Sequence, residues 1–355
     1  MSQRAVDFHN SPWRGVYFVT GGGTSFIHEL MGTPGASASV LEVQIPYAEE
    51  ALAELLGRAP EQAAANSTAR LLAMAAFQRA QSIRPDASNF GLGCTASLAT
   101  NRVKRGQHRA HWAIQTGATS AAFSVEFSAT REIEEQQLND LLWQSVDHVL
   151  NGAPATQGLS EYQVHSPDPS ISALLGTVPQ RVCTAVDDGL LLLPGSFNPI
   201  HEGHKEMLRV GEQLTGQRGA LEIAIRNADK PALDFVSLRE RLATLADFPV
   251  WLTNTPTYAA KARLFPGATF LLGVDTLTRI AELRFYQNDP ALLDAALQTF
   301  VDAEISFLVF GRKVQEQFLT LDALALPEIL ANRCRAVPDS MFRNDISSTA
   351  LRNQS

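Results

Sequence analysis

Two histidines, His201 and His204, stand three residues apart behind a turn made of Gly195, Ser196, Phe197, Asn198 and Pro199. The apolar run from Leu191 predicts a buried strand that ends at Pro194, and the residues after the turn predict a helix beginning at the histidines. Strand, glycine turn and helix N-terminus together make an arrangement that holds phosphate. Glycine lets the backbone approach, and the first helical N–H groups have no partner inside the helix. Residues at i and i+3 share one face of the first turn. Both imidazoles can therefore donate to a triphosphate and to the charge that builds as pyrophosphate leaves. The plainer alternative is a buried strand, a tight turn and two surface histidines.

Read as one string, GSFNPIHEGH resembles the G-x-F-x-P-x-H-x-G-H signature of the nucleotidylyltransferase superfamily. That superfamily includes the adenylyltransferases that make NAD, coenzyme A and FAD, and some cytidylyltransferases. Near the end of the chain, DISSTALR (345–352) resembles its Ile-Ser-Ser-Thr-x-x-Arg motif. Ser347, Ser348 and Thr349 would place hydroxyls and free N–H groups at a helix start, and Arg352, one turn on, can fork onto phosphate oxygens. Between the two, TFLLGVD (269–275) predicts a strand ending in a turn like the family's Gly-x-Asp, with Gly273 and Asp275 against the nucleotide. Asp275 could equally be an ordinary helix cap.

Lys230 follows the strand predicted over Ala220–Ile225, where the family carries a basic residue for triphosphate or acceptor phosphate; a solvated loop lysine is the alternative. Arg239 and Arg241 fall in a predicted helix and are expected to be surface or salt-bridge residues. Phe285 and Tyr286 lie where pyridine-nucleotide adenylyltransferases often carry a stacking aromatic, but core packing is the expected use of Phe285. Ser306–Phe310 predicts a fifth strand leading to Gly311, Arg312 and Lys313, and the family often has a comparable strand ending in arginine.

The first part of the chain has a different character. The strand predicted over Gly15–Thr20 runs into Gly21, Gly22, Gly23 and Thr24. TGGGTSFIHELMGTPGAS, then VQIPYAEEALAELLG and GLGCTAS, is similar to the C-terminal domain of the CinA family, which includes nicotinamide mononucleotide deamidases. Aligning on Pro34-Gly35 puts the family's catalytic serine on Thr20, its tyrosine on Tyr47, its lysine on Leu52 and its leading glutamate on Val19. Threonine keeps a hydroxyl but adds a methyl that restricts its rotamers. A hydroxyl nucleophile needs a neighbouring base or charge, and leucine offers neither. The expectation is a domain that keeps the fold for ligand binding or dimer formation, with Gly21–Thr24 able to hold phosphate through backbone N–H groups.

At 355 residues the chain is long for one core, so two domains are expected. The proline-containing stretch NGAPATQG (151–158) is the best boundary, giving 1–158 as the CinA-like domain and 159–355 as the nucleotidylyltransferase domain. Alternating strands and helices imply α/β architecture: two three-layer α/β domains, the second a Rossmann-like parallel sheet. A net charge of −8 argues against a nucleic-acid partner held by non-specific charge. Cys94, Cys183 and Cys334 are scattered, which argues against a disulfide framework or zinc site. The N-terminus lacks an apolar signal core and no run suits a bilayer, so a reduced, cytoplasmic protein without a membrane partner is expected.

The resemblance implies adenylyl transfer from ATP to nicotinamide or nicotinate mononucleotide. His201, His204, Lys230 and Arg352 would be catalytic, and Mg²⁺ would bridge phosphates rather than sit in a protein cage. The alternatives are a cytidylyltransferase, another adenylyltransferase acting on phosphopantetheine or flavin mononucleotide, or a non-catalytic nucleotide sensor. A homodimer through the first domain is expected by family analogy alone.

Overall fold

The computed structural model describes residues 2–101, 106–184, 189–226, 231–314 and 317–343. It divides into two compact units, Met1–Ser172 with Asn227–Arg239, and Ala173–Arg226 with Glu240–Ser355. The boundary expected at 158/159 is thereby displaced. Glu161–His165 is a strand that pairs antiparallel with Ser120–Phe127, which keeps it in the first unit. Residues 231–239 also belong to that unit. Within it, the Phe235 N–H donates to Ser120 Oγ at 2.8 Å and the Ala232 N–H to Gln78 Oε1 at 3.1 Å.

The first unit is built on a six-stranded sheet in the order Val40–Gln44, Arg14–Thr20, Asn89–Ser97, His108–Thr116, Ser120–Phe127, Glu161–His165. The first three strands are parallel and the remaining pairings are antiparallel, so the sheet is mixed. Alternation along Arg14–Thr20 sends Tyr17 and Val19 to one face and Val16 and Phe18 to the other. Helices Gln3–His9, Thr24–Gly32 and Arg131–Asn151 cover the first face around Phe26, Phe90 and Trp112. Helices Glu49–Leu56 and Asn66–Ile83 cover the second. Ala65 stands at the N-cap of the latter helix and makes no side-chain bond.

The second unit carries a seven-stranded sheet in the order Cys334–Ala336, Ser306–Phe310, Thr269–Gly273, Leu191–Pro194, Gly219–Ala224, Val250–Thr253, Arg181–Cys183. Every pairing is parallel except the last, where Arg181–Cys183 runs antiparallel at the edge. Parallel strands buried on both faces read as continuous apolar runs, as in LLLP and TFLLG. Strand order reverses between Leu191–Pro194 and Thr269–Gly273. In open α/β sheets the crevice beyond the strand ends at such a reversal is the ligand site. No described helix is long and apolar enough to cross a membrane.

Candidate functional site

At that reversal, the turn after Pro194 is fixed from below and from within. The Gly195 N–H donates to the Glu222 carbonyl on the neighbouring strand at 2.9 Å. Phe197, at φ 42°, folds its ring back into the core. A Cβ on residue 195 would stand 2.7 Å from that ring, so the turn needs glycine there. The Phe197 ring packs edge-on against His204, centroids 5.0 Å apart. Ser196 and Asn198 are exposed on the outside of the turn, and the Ser196 carbonyl accepts from Arg241 Nη1 at 2.7 Å.

Helix Glu202–Thr215 starts from His201 at its N-cap, with His204 at the third helical position. The two close a reciprocal capping box, and their rings stack with centroids 3.6 Å apart. The His201 backbone N–H donates to His204 Nδ1 at 3.3 Å. Nδ1 therefore acts as the acceptor, which assigns the neutral ring's proton to Nε2. Burial, and then the neighbouring His201, push His204 down to about 4. Burial, and then the Arg312 guanidinium, lower His201. At neutral pH the pair offers N–H donors without charge of its own.

The facing wall comes from the strand ends across the reversal. The strand over Thr269–Gly273 gives way at once to helix Val274–Ala281, so Gly273 is the N-cap and Asp275 sits in the first turn. Asp275 is thus not the cap. Its carboxylate folds back so closely that a Cβ at residue 273 would lie 2.6 Å from Oδ1. Oδ2 accepts from Arg312 Nη1 at 2.7 Å. His201, His204, Gly273, Asp275, Arg312 and Tyr258 line one pocket. Gly195, Ser196, Phe197 and Asn198 lie beside it and shape the turn. Arg312 is half-exposed and beside the histidines, so it can turn onto a phosphate. Arg312→Gln is expected to weaken triphosphate binding about tenfold, read by calorimetric titration.

In the first unit the residues aligned with a deamidase centre have different surroundings. The Thr20 hydroxyl donates to the Pro46 carbonyl at 3.0 Å and is nearly buried. Tyr47 is 69% exposed, whereas Leu52 lies in the core at 3%. The glycine run serves packing: a Cβ on Gly21 would stand 1.9 Å from the Ala96 carbonyl oxygen, and one on Gly22 2.8 Å from Leu98. At the start of helix Thr24–Gly32, the anion position is filled from within the unit. The Ser25 N–H donates to Glu135 Oε1 at 2.9 Å and the Thr24 hydroxyl to the same oxygen at 3.1 Å.

Residues 192–354 match the family described as Cytidylyltransferase-like. The C-terminal half is a cytidylyltransferase-like domain. Its histidine turn, Gly273 and Asp275 all fall inside the matched range. No curated protein matches the chain. The N-terminal region is similar to three solved structures among others. The competence/damage inducible protein CihA from Agrobacterium tumefaciens shares 20% identity over 41% of this chain and 90% of its own, with a TM-score of 0.33. A competence-damaged protein (CinA) superfamily protein from Klebsiella pneumoniae shares 12% over 42% and 95%, at 0.36. One from Enterobacter cloacae shares 14% over 41% and 87%, at 0.35.

Within the cytidylyltransferase-like domain, Lys230, Ser347, Ser348, Thr349 and Arg352 lie outside the described residues. Phe285 is not a core residue: it is 47% exposed, with the Arg279 and Arg284 guanidiniums 5.3 and 4.8 Å from its ring centroid. Arg239, assigned to the first unit, is exposed and donates to the Val164 carbonyl, whereas Arg241 is half-buried and donates to the Ser196 carbonyl of the histidine turn. Arg312 and Tyr258 line the pocket from outside the quoted motifs. Arg312 was signalled by its position after a predicted strand and by the family's comparable strand ending in arginine. Tyr258 opens a short helix, Tyr258–Leu264, where an aromatic reads as core.

Proposed function

We propose that the cytidylyltransferase-like domain transfers an adenylyl group from ATP to nicotinamide or nicotinate mononucleotide. An oxygen of the acceptor's phosphate attacks the α-phosphorus of ATP. The bond from that phosphorus to the bridging oxygen breaks, and pyrophosphate leaves with the electron pair. No covalent enzyme intermediate is needed. The residues align two anions and stabilise the spreading charge. The observation that carries this reading is the stacked His201–His204 pair, held as neutral donors on a helix N-terminus and facing Arg312 across one pocket. Lys230 and the 347–352 motif are assigned phosphate contacts by resemblance.

Magnesium enters with the triphosphate in this reading. Among the described residues no group of three His, Cys, Asp or Glu side chains could cage an ion. The pocket's carboxylate, Asp275, is engaged by Arg312. Bound with the triphosphate, magnesium would supply charge neutralisation.

The first unit is read as a domain without amidohydrolase chemistry. The Thr20 hydroxyl donates to a carbonyl, and leucine at 52, where the family carries lysine, offers no base or charge to activate it. No ammonia is expected from nicotinamide mononucleotide in the absence of triphosphate. Thr20→Ala is expected to leave that zero rate, and the transfer rate, unchanged. Ammonia released by the parent protein and lost in Thr20→Ala would restore the deamidase assignment. The transfer reading is tested by pyrophosphate release from ATP, with CTP compared in parallel as the donor the family description suggests.

A further inference from the structure

Behind the pocket lies an ion pair with almost no contact with water. Glu222, on strand Gly219–Ala224, is wholly buried, and Lys261, on helix Tyr258–Leu264, is 6% exposed. Lys261 Nζ and Glu222 Oε2 are 2.5 Å apart. The other carboxylate oxygen accepts from Thr253 Oγ1, also at 2.5 Å, from the next strand over. Desolvating two ions costs several kcal/mol each, and apolar residues of similar volume usually do as well or better for stability. Stability alone therefore gives no reason for these charges in this place.

Their neighbours give one. The Glu222 main-chain carbonyl is the acceptor for the Gly195 N–H, the first residue of the histidine turn. Its carboxylate holds Lys261, whose ammonium lies 5.5 Å from the ring centroid of Tyr258, one turn earlier on the same helix. Tyr258 lines the pocket, and its ring is set edge-on against Phe270 at 5.5 Å. One residue thus touches the histidine turn through its main-chain carbonyl and, through its carboxylate, the helix whose Tyr258 lines the pocket. Charge-assisted hydrogen bonds are directional where apolar contacts are not, so they fix strand and helix in one register.

We infer that Glu222, Lys261 and Thr253 form a positioning network, which holds the histidine turn and Tyr258 at the spacing the transfer reaction needs. The network makes no contact with substrate in this account. The inference rests on the transferase reading for its consequence in rate, but its geometric part stands apart from that reading.

The test is the full chain carrying Glu222→Leu, Thr253→Val and Lys261→Met together, which replaces the network by apolar side chains of similar size. Single variants such as Lys261→Met strand a buried charge and are poor probes, since they can fail to fold. The triple variant is expected to stay folded, with an unfolding temperature close to that of the parent. It should lose about ten- to a hundredfold in kcat, with the KM for ATP changed by less than about threefold, because small misplacement of reacting groups is felt in the transition state. In parallel, ¹⁵N-histidine NMR follows the titration of His204, which should move from about 4 in the parent towards the ordinary histidine range as the turn loosens. A folded triple variant with parental kcat and an unshifted His204 overturns the inference. If the parent releases no pyrophosphate, the transferase reading fails, and the histidine titration alone decides: an unshifted His204 still overturns the network's positioning role. An unfolded triple variant also overturns it, because the network would then be structural.

Discussion

His204→Ala is expected to lower kcat by about 100- to 1,000-fold while leaving the domain folded, the scale seen when a well-placed transition-state donor is removed. His204 has one ring nitrogen engaged by the His201 N–H and the other assigned its proton. Its position is set from three sides: the stacked His201 ring, the edge-on Phe197 ring and the helix it starts. A donor held in this way needs no reorganisation as charge develops. Because burial lowers its affinity for protons to about 4, its N–H is offered as a neutral donor throughout the neutral range. Alanine removes the donor and one half of the capping box, and caps contribute only about 1 kcal/mol to stability. Rate and stability should therefore separate. Steady-state pyrophosphate release alongside thermal unfolding checks this, and a variant that keeps parental kcat contradicts the assignment of His204.

The second large effect is on stability and lies in the first unit. Gly91 and Gly93 of GLGCTAS face helix Asn66–Ile83, which packs directly on their backbone. A Cβ on Gly91 would stand 2.2 Å from both the Ala73 carbonyl oxygen and the Phe77 nitrogen, and one on Gly93 would stand 2.3 Å from the Ala73 nitrogen. Main-chain atoms inside a helix cannot give way as a flexible side chain can. Overpacking of this kind costs about 1–3 kcal/mol even where side chains can shift. Gly91→Val is expected to reach or exceed the top of that range and to lower the denaturant midpoint of the first unit's transition. An unchanged midpoint would show that the helix can move away. The glycines of this stretch are thus explained by helix-on-strand contact and need no role in chemistry.

How far these features were legible in the sequence depends on how local their physics is. LLLP and TFLLG announced buried parallel strands because both faces of such strands are covered. His201 and His204 were legible because i,i+3 spacing at a helix start puts two side chains on one face. Long-range pairing was not. Glu161–His165 is an edge strand whose side chains are mostly half-buried or exposed, so its composition carries no core signal. The membership of 231–239 in the first unit depends on hydrogen bonds to Gln78 and Ser120, far away in sequence. Arg312 meets Asp275 only because two neighbouring parallel strands end together. Phe285 looked like core by type, yet its ring sits between two guanidiniums at the surface. Thr20 could be aligned with a nucleophile, but its use was decided by the Pro46 carbonyl on the adjacent segment.

The account turns on whether the histidine pocket transfers a nucleotidyl group. The direct measurement is pyrophosphate release by the full chain with magnesium, supplied with ATP or CTP and, in turn, nicotinamide mononucleotide, nicotinate mononucleotide, phosphopantetheine or flavin mononucleotide. The account predicts pyrophosphate with ATP and a pyridine mononucleotide, together with the matching dinucleotide. Pyrophosphate only with CTP or with another acceptor would contradict the proposed substrates. Bound ATP with no pyrophosphate under any pairing would contradict transfer itself.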